Sequence, residues 1–178
     1  MAEEHFVFED ITELNAIAEG TPGKRTFYLV VGQGSAWVKA WLGKEQMLAL
    51  GTAVQQLLAS LAESQGSAGA AEALPELPTI APLKSPEAEF HIGRLAIGHD
   101  SKRDFVVVMA HRLEVDENDP PTLQFGGSKA LMRALCQRIA TVSAAGRQPC
   151  PLCGGPLDPE GHVCPKSNGH SKVDVELR

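Results

Sequence analysis

Lys24 to Leu42, KRTFYLVVGQGSAWVKAWL, decides the fold class. Its first half contains Thr26 to Val31, TFYLVV, a run of β-branched and aromatic residues that suits a pleated strand. Gly32 and Gly34 punctuate it, and Ala36 to Leu42 returns with Trp37 and Trp41 on the same parity. The two runs read as a β-hairpin. The Gly32-Gln33-Gly34 step superficially suggests a phosphate loop, but it lacks a third glycine and leads into a strand where that motif needs a helix.

Before the hairpin, His5 to Glu9 and Asn15 to Ala18 are short apolar stretches that read as lead-in strands, the second ended by the turn-forming run Gly20 to Gly23. After the hairpin the period changes. Met47, Leu50, Val54, Leu57, Leu58 and Leu61 recur at three and four residues, which predicts an amphipathic helix over Lys44 to Glu63 with one buried stripe. Gly51 costs a helix about 1 kcal/mol relative to alanine, so its presence there points to close helix packing. Residues 64–88 are rich in Ala, Gly, Ser and Pro and read as a flexible linker.

Order resumes with a strand over Phe90 to Gly98, a polar turn at Asp100 to Arg103, a strand over Phe105 to Leu113, an acidic turn at Asp116 to Pro121, and a short β-like run at Thr122 to Phe125. Ser128 is a fitting N-cap for a helix to about Ala144 with the stripe Leu131, Leu135, Ile139 and Val142, and Gly146 suits its C-terminal stop. Lys24, Arg25, Phe27, Val30 and Val31 line up with Lys102, Arg103, Phe105, Val108 and Met109 at an offset of 78. The expectation is therefore an α+β fold of two β-β-β-α repeats, 1–63 and 89–146, forming one antiparallel sheet covered by two helices. A knuckle and tail over 147–178 follow, and Val173 to Leu177 reads as a last short strand.

That tail holds the most specific chemistry. Cys150 to His170, CPLCGGPLDPEGHVCPKSNGH, contains three of the four cysteines and two of the six histidines. Cys150 and Cys153 form a C-x2-C pair stiffened by Pro151, and the Pro/Gly-rich stretch between Cys153 and Cys164 is long enough to return a third thiolate to the same ion. A closed tetrahedral zinc site needs a fourth ligand. Cys136 sits in a helical stripe as a small core residue, which leaves His162, two residues before Cys164, or His170, six after it; both spacings can close a site. A thioredoxin-like dithiol would need a strand before the pair and a helix opening at it, whereas a proline, Pro149, precedes Cys150 and glycines follow Cys153. Four protein ligands leave no position for water, so the expected cofactor is structural zinc.

The run C-P-x-C-x-x-P-L-D-P-x-G-H-x-C-P over Cys150 to Pro165, followed by Asn168-Gly169, resembles the C-terminal signature of an uncharacterised bacterial conserved-protein family. The resemblance extends to Lys24 to Tyr28 and to Phe90, Ile92, Gly93, Leu95 and Ala96, and so covers most of the chain. It implies that the position of His170 is ordinarily aromatic, which favours Cys150, Cys153, His162 and Cys164 as the metal set. It implies no established activity. It does suggest a pathway shared with the histidine-phosphatase-like and lipid-kinase-like proteins encoded beside such proteins.

With 178 residues, 43% hydrophobic and 21% charged, the chain can bury one core with a small appendage. No apolar run approaches the roughly 18 residues of a membrane helix, and clustered cysteines suit metal in a reducing bacterial cytoplasm better than disulfides. The net charge of -6 disfavours nucleic acid and anionic membranes, although residues 122–178 carry 7 bases against 4 acids. Lys129, Arg133, Arg138 and Arg147 form an acid-free stretch before the knuckle, with Lys129 and Arg133 on one face as the preferred docking patch for phosphate or an acidic partner. His91, His99 and His111 suit a half-exposed sheet face better than a second metal site, and Asp10, Glu13, Glu114 and Asp116 read as solvated carboxylates. No catalytic constellation is recognisable. The functional expectation is a non-catalytic, zinc-containing binding or adaptor protein with a protein partner. The alternative is a small enzyme or ligand-binding protein acting on a phosphorylated metabolite in a pocket lined by His91, His99, His111 or Arg94.

Overall fold

The computed structural model describes residues 5–66, 73–78, 85–116, 118–144, 150–155, 157, 162 and 164. Seven strands and two helices follow in the order β1 (Phe6–Phe8), β2 (Glu13–Glu19), β3 (Thr26–Gln33), β4 (Ala36–Leu42), α1 (Lys44–Ser64), β5 (Ala88–Asp100), β6 (Phe105–Arg112), β7 (Leu123–Ser128) and α2 (Lys129–Ala144). The expected hairpin is β3 and β4, with Gly34 supplying the positive φ of 64° that its turn needs. Ser128 caps α2 as expected, its Oγ accepting from Leu131 N at 3.2 Å. Gly146, His170 and the strand expected at Val173 to Leu177 lie outside the described residues.

The α+β class holds, but the sheet is mixed, not antiparallel, in the order β1-β7-β6-β5-β4-β3-β2. The meanders β2-β3-β4 and β5-β6-β7 are antiparallel, while β4 pairs parallel with β5 and β1 parallel with β7. The cause lies in the connections. Short turns reverse a strand, whereas the passage through α1 brings the chain back to the end from which β4 began.

The sheet is also strongly curled. Six inter-strand spacings of about 4.8 Å would separate β1 from β2 by roughly 29 Å, and the residues between Phe8 and Glu13 can reach only about 17 Å. The two edges must approach one another, and the contacts there agree: Gln33 Oε1 accepts from Glu9 N and Asp10 N, and Arg103 pairs with Glu9 and Asp10. Both helices pack on the inner face over Phe27, Leu29, Val31, Val38, Ala40, Phe90, Val106, Val108 and Phe125.

The expected correspondence at an offset of 78 does not survive this geometry. Phe27 and Val31 belong to the core, and their counterparts Phe105 and Met109 do not; Val108 belongs to it, and its counterpart Val30 does not. Side chains alternate faces along a strand, so an even offset between strands of opposite parity matches inward residues to outward ones.

Close helix packing at Gly51 is observed. A Cβ there would lie 3.2 Å from Ile139 Cγ2, and Cys136 Sγ donates to the Gly51 carbonyl at 3.4 Å. The stretch expected to be a flexible linker is tied down in part: Leu77 packs against the core, and Leu14 N donates to the Pro78 carbonyl at 2.7 Å. Among the described residues no helix is long and apolar enough to cross a membrane.

Candidate metal centre

The C-x2-C pair forms a tight loop closed by its own backbone. Gly154 N donates to the Cys150 carbonyl at 2.8 Å and Cys150 N to the Gly155 carbonyl at 2.7 Å, which wraps the chain around the two sulfurs. Gly154 makes this possible with a φ of 73°, a left-handed conformation in which a Cβ would be strained. Gly155 N then donates to Cys153 Sγ at 3.4 Å, so the loop presents an amide dipole to a thiolate.

Onto this loop the chain returns His162 and Cys164. One donor atom from each of Cys150, Cys153, His162 and Cys164 lies within 4.8 Å of every other. Cys150 Sγ and Cys164 Sγ are 3.8 Å apart, as are Cys153 Sγ and His162 Nε2. A disulfide would bring two sulfurs to about 2.05 Å. A tetrahedron of ligands with metal–sulfur bonds of about 2.3 Å has edges of about 3.8 Å. The spacing is that of ligands around a common centre. Cys150 and Cys164 are buried, and Cys153 and His162 half-buried.

The electrostatics agree. Backbone amides of Cys153 and Leu152 hold the Cys150 thiol well below its usual range, at about 6. For Cys153 the Gly155 amide favours the thiolate, but burial and the neighbouring Cys164 and Cys150 sulfurs outweigh it and raise the pKa. Thiolates this close oppose one another's charge, and a divalent cation at their centre would remove that conflict. The four donors, three sulfurs and one imidazole nitrogen, form a set that could hold a metal ion.

The other sequence candidates disperse. Cys136 is buried between the helices, where burial pushes its thiol up to about 11. His91 lies against Trp41 on the outer sheet face, His99 Nε2 bonds Asp104 Oδ1 at 2.8 Å, and His111 faces Arg94. Among the described residues no second group of three or more such side chains could hold a metal. Arg94 lines a cleft of about 360 Å³ between α1 and β5, and none of the three histidines lines it. Gln33 holds the connection between β1 and β2, its Oε1 accepting from Glu9 N and Asp10 N. Glu13 is not a solvated carboxylate but a buried one, its pKa raised by that burial.

The basic stretch is divided as well. Lys129 Nζ reaches Asp104 Oδ2 at 2.8 Å and Gln65 Oε1 at 2.9 Å, tying the end of α1 to the start of α2, so it is not an open docking residue. Arg138 turns instead to the edge strand β2. Arg147 lies outside the described residues. The sequence carries no sign of the Lys129–Asp104–His99 chain, because Lys129 lies far along it from the other two. It carries none either of the Lys39 ammonium placed 4.2 Å from both the Tyr28 and Trp41 rings, although their shared strand parity could have found it.

Residues 6–164 match the family described as Protein of unknown function (DUF3090). The match runs through Cys164 and so includes all four clustered donors. No curated protein and no solved structure matches the chain.

Proposed function

Because the chain belongs to DUF3090, a family without an assigned activity, we propose from the site itself that Cys150, Cys153, His162 and Cys164 hold a structural zinc ion and that the protein is a non-catalytic binding or adaptor protein. The observation that supports it is the closed donor set at tetrahedral spacing. Such a centre fixes the shape of a loop and leaves nothing vacant for turnover. When bound, zinc would supply a +2 charge that keeps the three sulfurs ionised and locks the returning strand of chain against the Cys150–Gly155 loop. The loop then offers a rigid surface to a protein partner. None of the four cysteines is in a disulfide, which fits a reducing compartment such as the cytoplasm.

Elemental analysis of purified protein should find one zinc per chain. His162→Ala and Cys164→Ser should each lower that content severely, while Cys136→Ala should leave it unchanged. Absence of stoichiometric metal in protein purified without chelator would overturn the reading. The adaptor role is tested by partner recovery with wild-type chain and with the zinc-free variants; equal recovery from both would remove the knuckle from recognition.

A further inference from the structure

Between the edge strand β2, helix α2 and residues 75–77 lies a groove of about 580 Å³. Its volume is in the range of small-ligand sites. Arg138 is the one base lining it and Glu76 the one acid, with Asn15, Gln137 and Thr141 supplying neutral polar groups.

Arg138 is held in a particular way. Its Nε donates to Asn15 Oδ1 at 3.1 Å and to the Ala16 carbonyl at 3.2 Å. Those bonds anchor the guanidinium at the strand edge through one nitrogen. No described residue accepts a hydrogen bond from either Nη. An arginine held through Nε presents its two Nη amines as a fork, the geometry that takes two oxygens of one carboxylate or phosphate. Asn15 follows suit: with its Oδ1 accepting from Arg138, its Nδ2 is left to donate. Thr141 Oγ1 donates to the Gln137 carbonyl at 2.9 Å, which fixes its proton within the helix.

We propose that this groove binds the oxyanion of a small metabolite, a phosphate monoester or a carboxylate, taken end-on by Arg138 with the Asn15 amide as a second donor. The proposal is independent of the zinc knuckle and of the adaptor reading. It places the ligand at α2 and β2, away from the Lys129 and Arg133 face and away from the cleft that Arg94 lines. Glu76, which also lines the groove, opposes an anion there, so affinity for a simple anion is set by the difference between one favourable and one unfavourable charge.

The test is a titration followed by NMR at constant ionic strength, reading Arg138 Nε–Hε and the side-chain amides of Asn15 and Gln137. Inorganic phosphate is the first probe and succinate the second. Saturable shifts at these groups are expected with at least one anion. Phosphate alone would assign a phosphoryl ligand and succinate alone a carboxylate. Arg138→Lys keeps the charge but loses the fork and should weaken binding by about tenfold or more. Glu76→Gln should tighten it. Because Arg138 also holds the strand edge, Gln137→Glu provides a variant on the exposed helix face that leaves that anchor alone and should weaken binding as well. No saturable shift with either anion would overturn the proposal, as would equal affinity in wild type and Gln137→Glu.

Discussion

At the scale of single residues, burial governs titration more than residue type does. His111 is 9% exposed, its Nδ1 lacks a partner, and its Nε2 lies 3.4 Å from Arg94 Nη2. Burial first and Arg94 second lower its pKa from 6.5, with Asp119 acting weakly the other way. The unfolded chain therefore takes up a proton near 6.5 that the folded chain resists. Stability is intact above that value and is lost as pH falls below it. Denaturant midpoints should fall between pH 7.5 and 5.5, and His111→Gln should flatten that slope; an unchanged slope in the variant would clear His111 of the role. Asp104 acts in the same direction at lower pH. Lys129 and then His99 hold its carboxylate below 3.8, so its contribution is present above 3.8 and lost further into acid.

At the scale of elements, the helices approach closely where Gly51 of α1 faces Ile139 of α2. Gly51→Val improves helix propensity by a few tenths of a kcal/mol. It also inserts methyl groups where even a Cβ meets Ile139 Cγ2 at 3.2 Å, and overpacking of this kind costs about 1–3 kcal/mol. The net expectation is a lower urea midpoint at unchanged m-value, with part of the loss recovered in the Gly51→Val/Ile139→Val double variant. An additive double variant would show that the two sites are not in contact. This contact was legible in the sequence, since a glycine inside a periodic helix has few other reasons to be there. So were both helices, the β3–β4 hairpin and the three clustered cysteines, because period and spacing are local signals; spacing alone left His162 and His170 open as the fourth donor. The parallel pairs were not legible: periodicity identifies a strand without naming its neighbour, and the path through α1 decides the direction. The offset of 78 failed for the same reason, as residue type does not encode which face of the sheet is the inner one. The edge contacts of Arg138 were hidden too, because Asn15 and Ala16 lie more than a hundred residues away in sequence.

At the scale of the whole molecule, the curled sheet with its two helices and the cysteine loop are held by different forces. Cys150 and Cys164 are buried, yet neither belongs to the continuous core that joins the strands to α1 and α2. The loop is closed by two short backbone hydrogen bonds and by whatever occupies the centre of its four donors. Hydrophobic burial should therefore sustain the sheet and helices without metal, while the loop depends on the metal for its shape. Chelation should leave far-UV circular dichroism and the main thermal transition nearly unchanged, within about 4 °C. Amide exchange should rise sharply at Cys150, Gly154 and Gly155, whose N–H groups make the loop's hydrogen bonds, and stay slow in β3, β6 and α2. The same local release should appear in His162→Ala without chelator, since three thiolates alone cannot balance their mutual repulsion. A large loss of global stability on metal removal would instead make the loop part of the folding core. Unchanged exchange at Gly154 and Gly155 would mean that the backbone turn, not an ion, organises the four side chains.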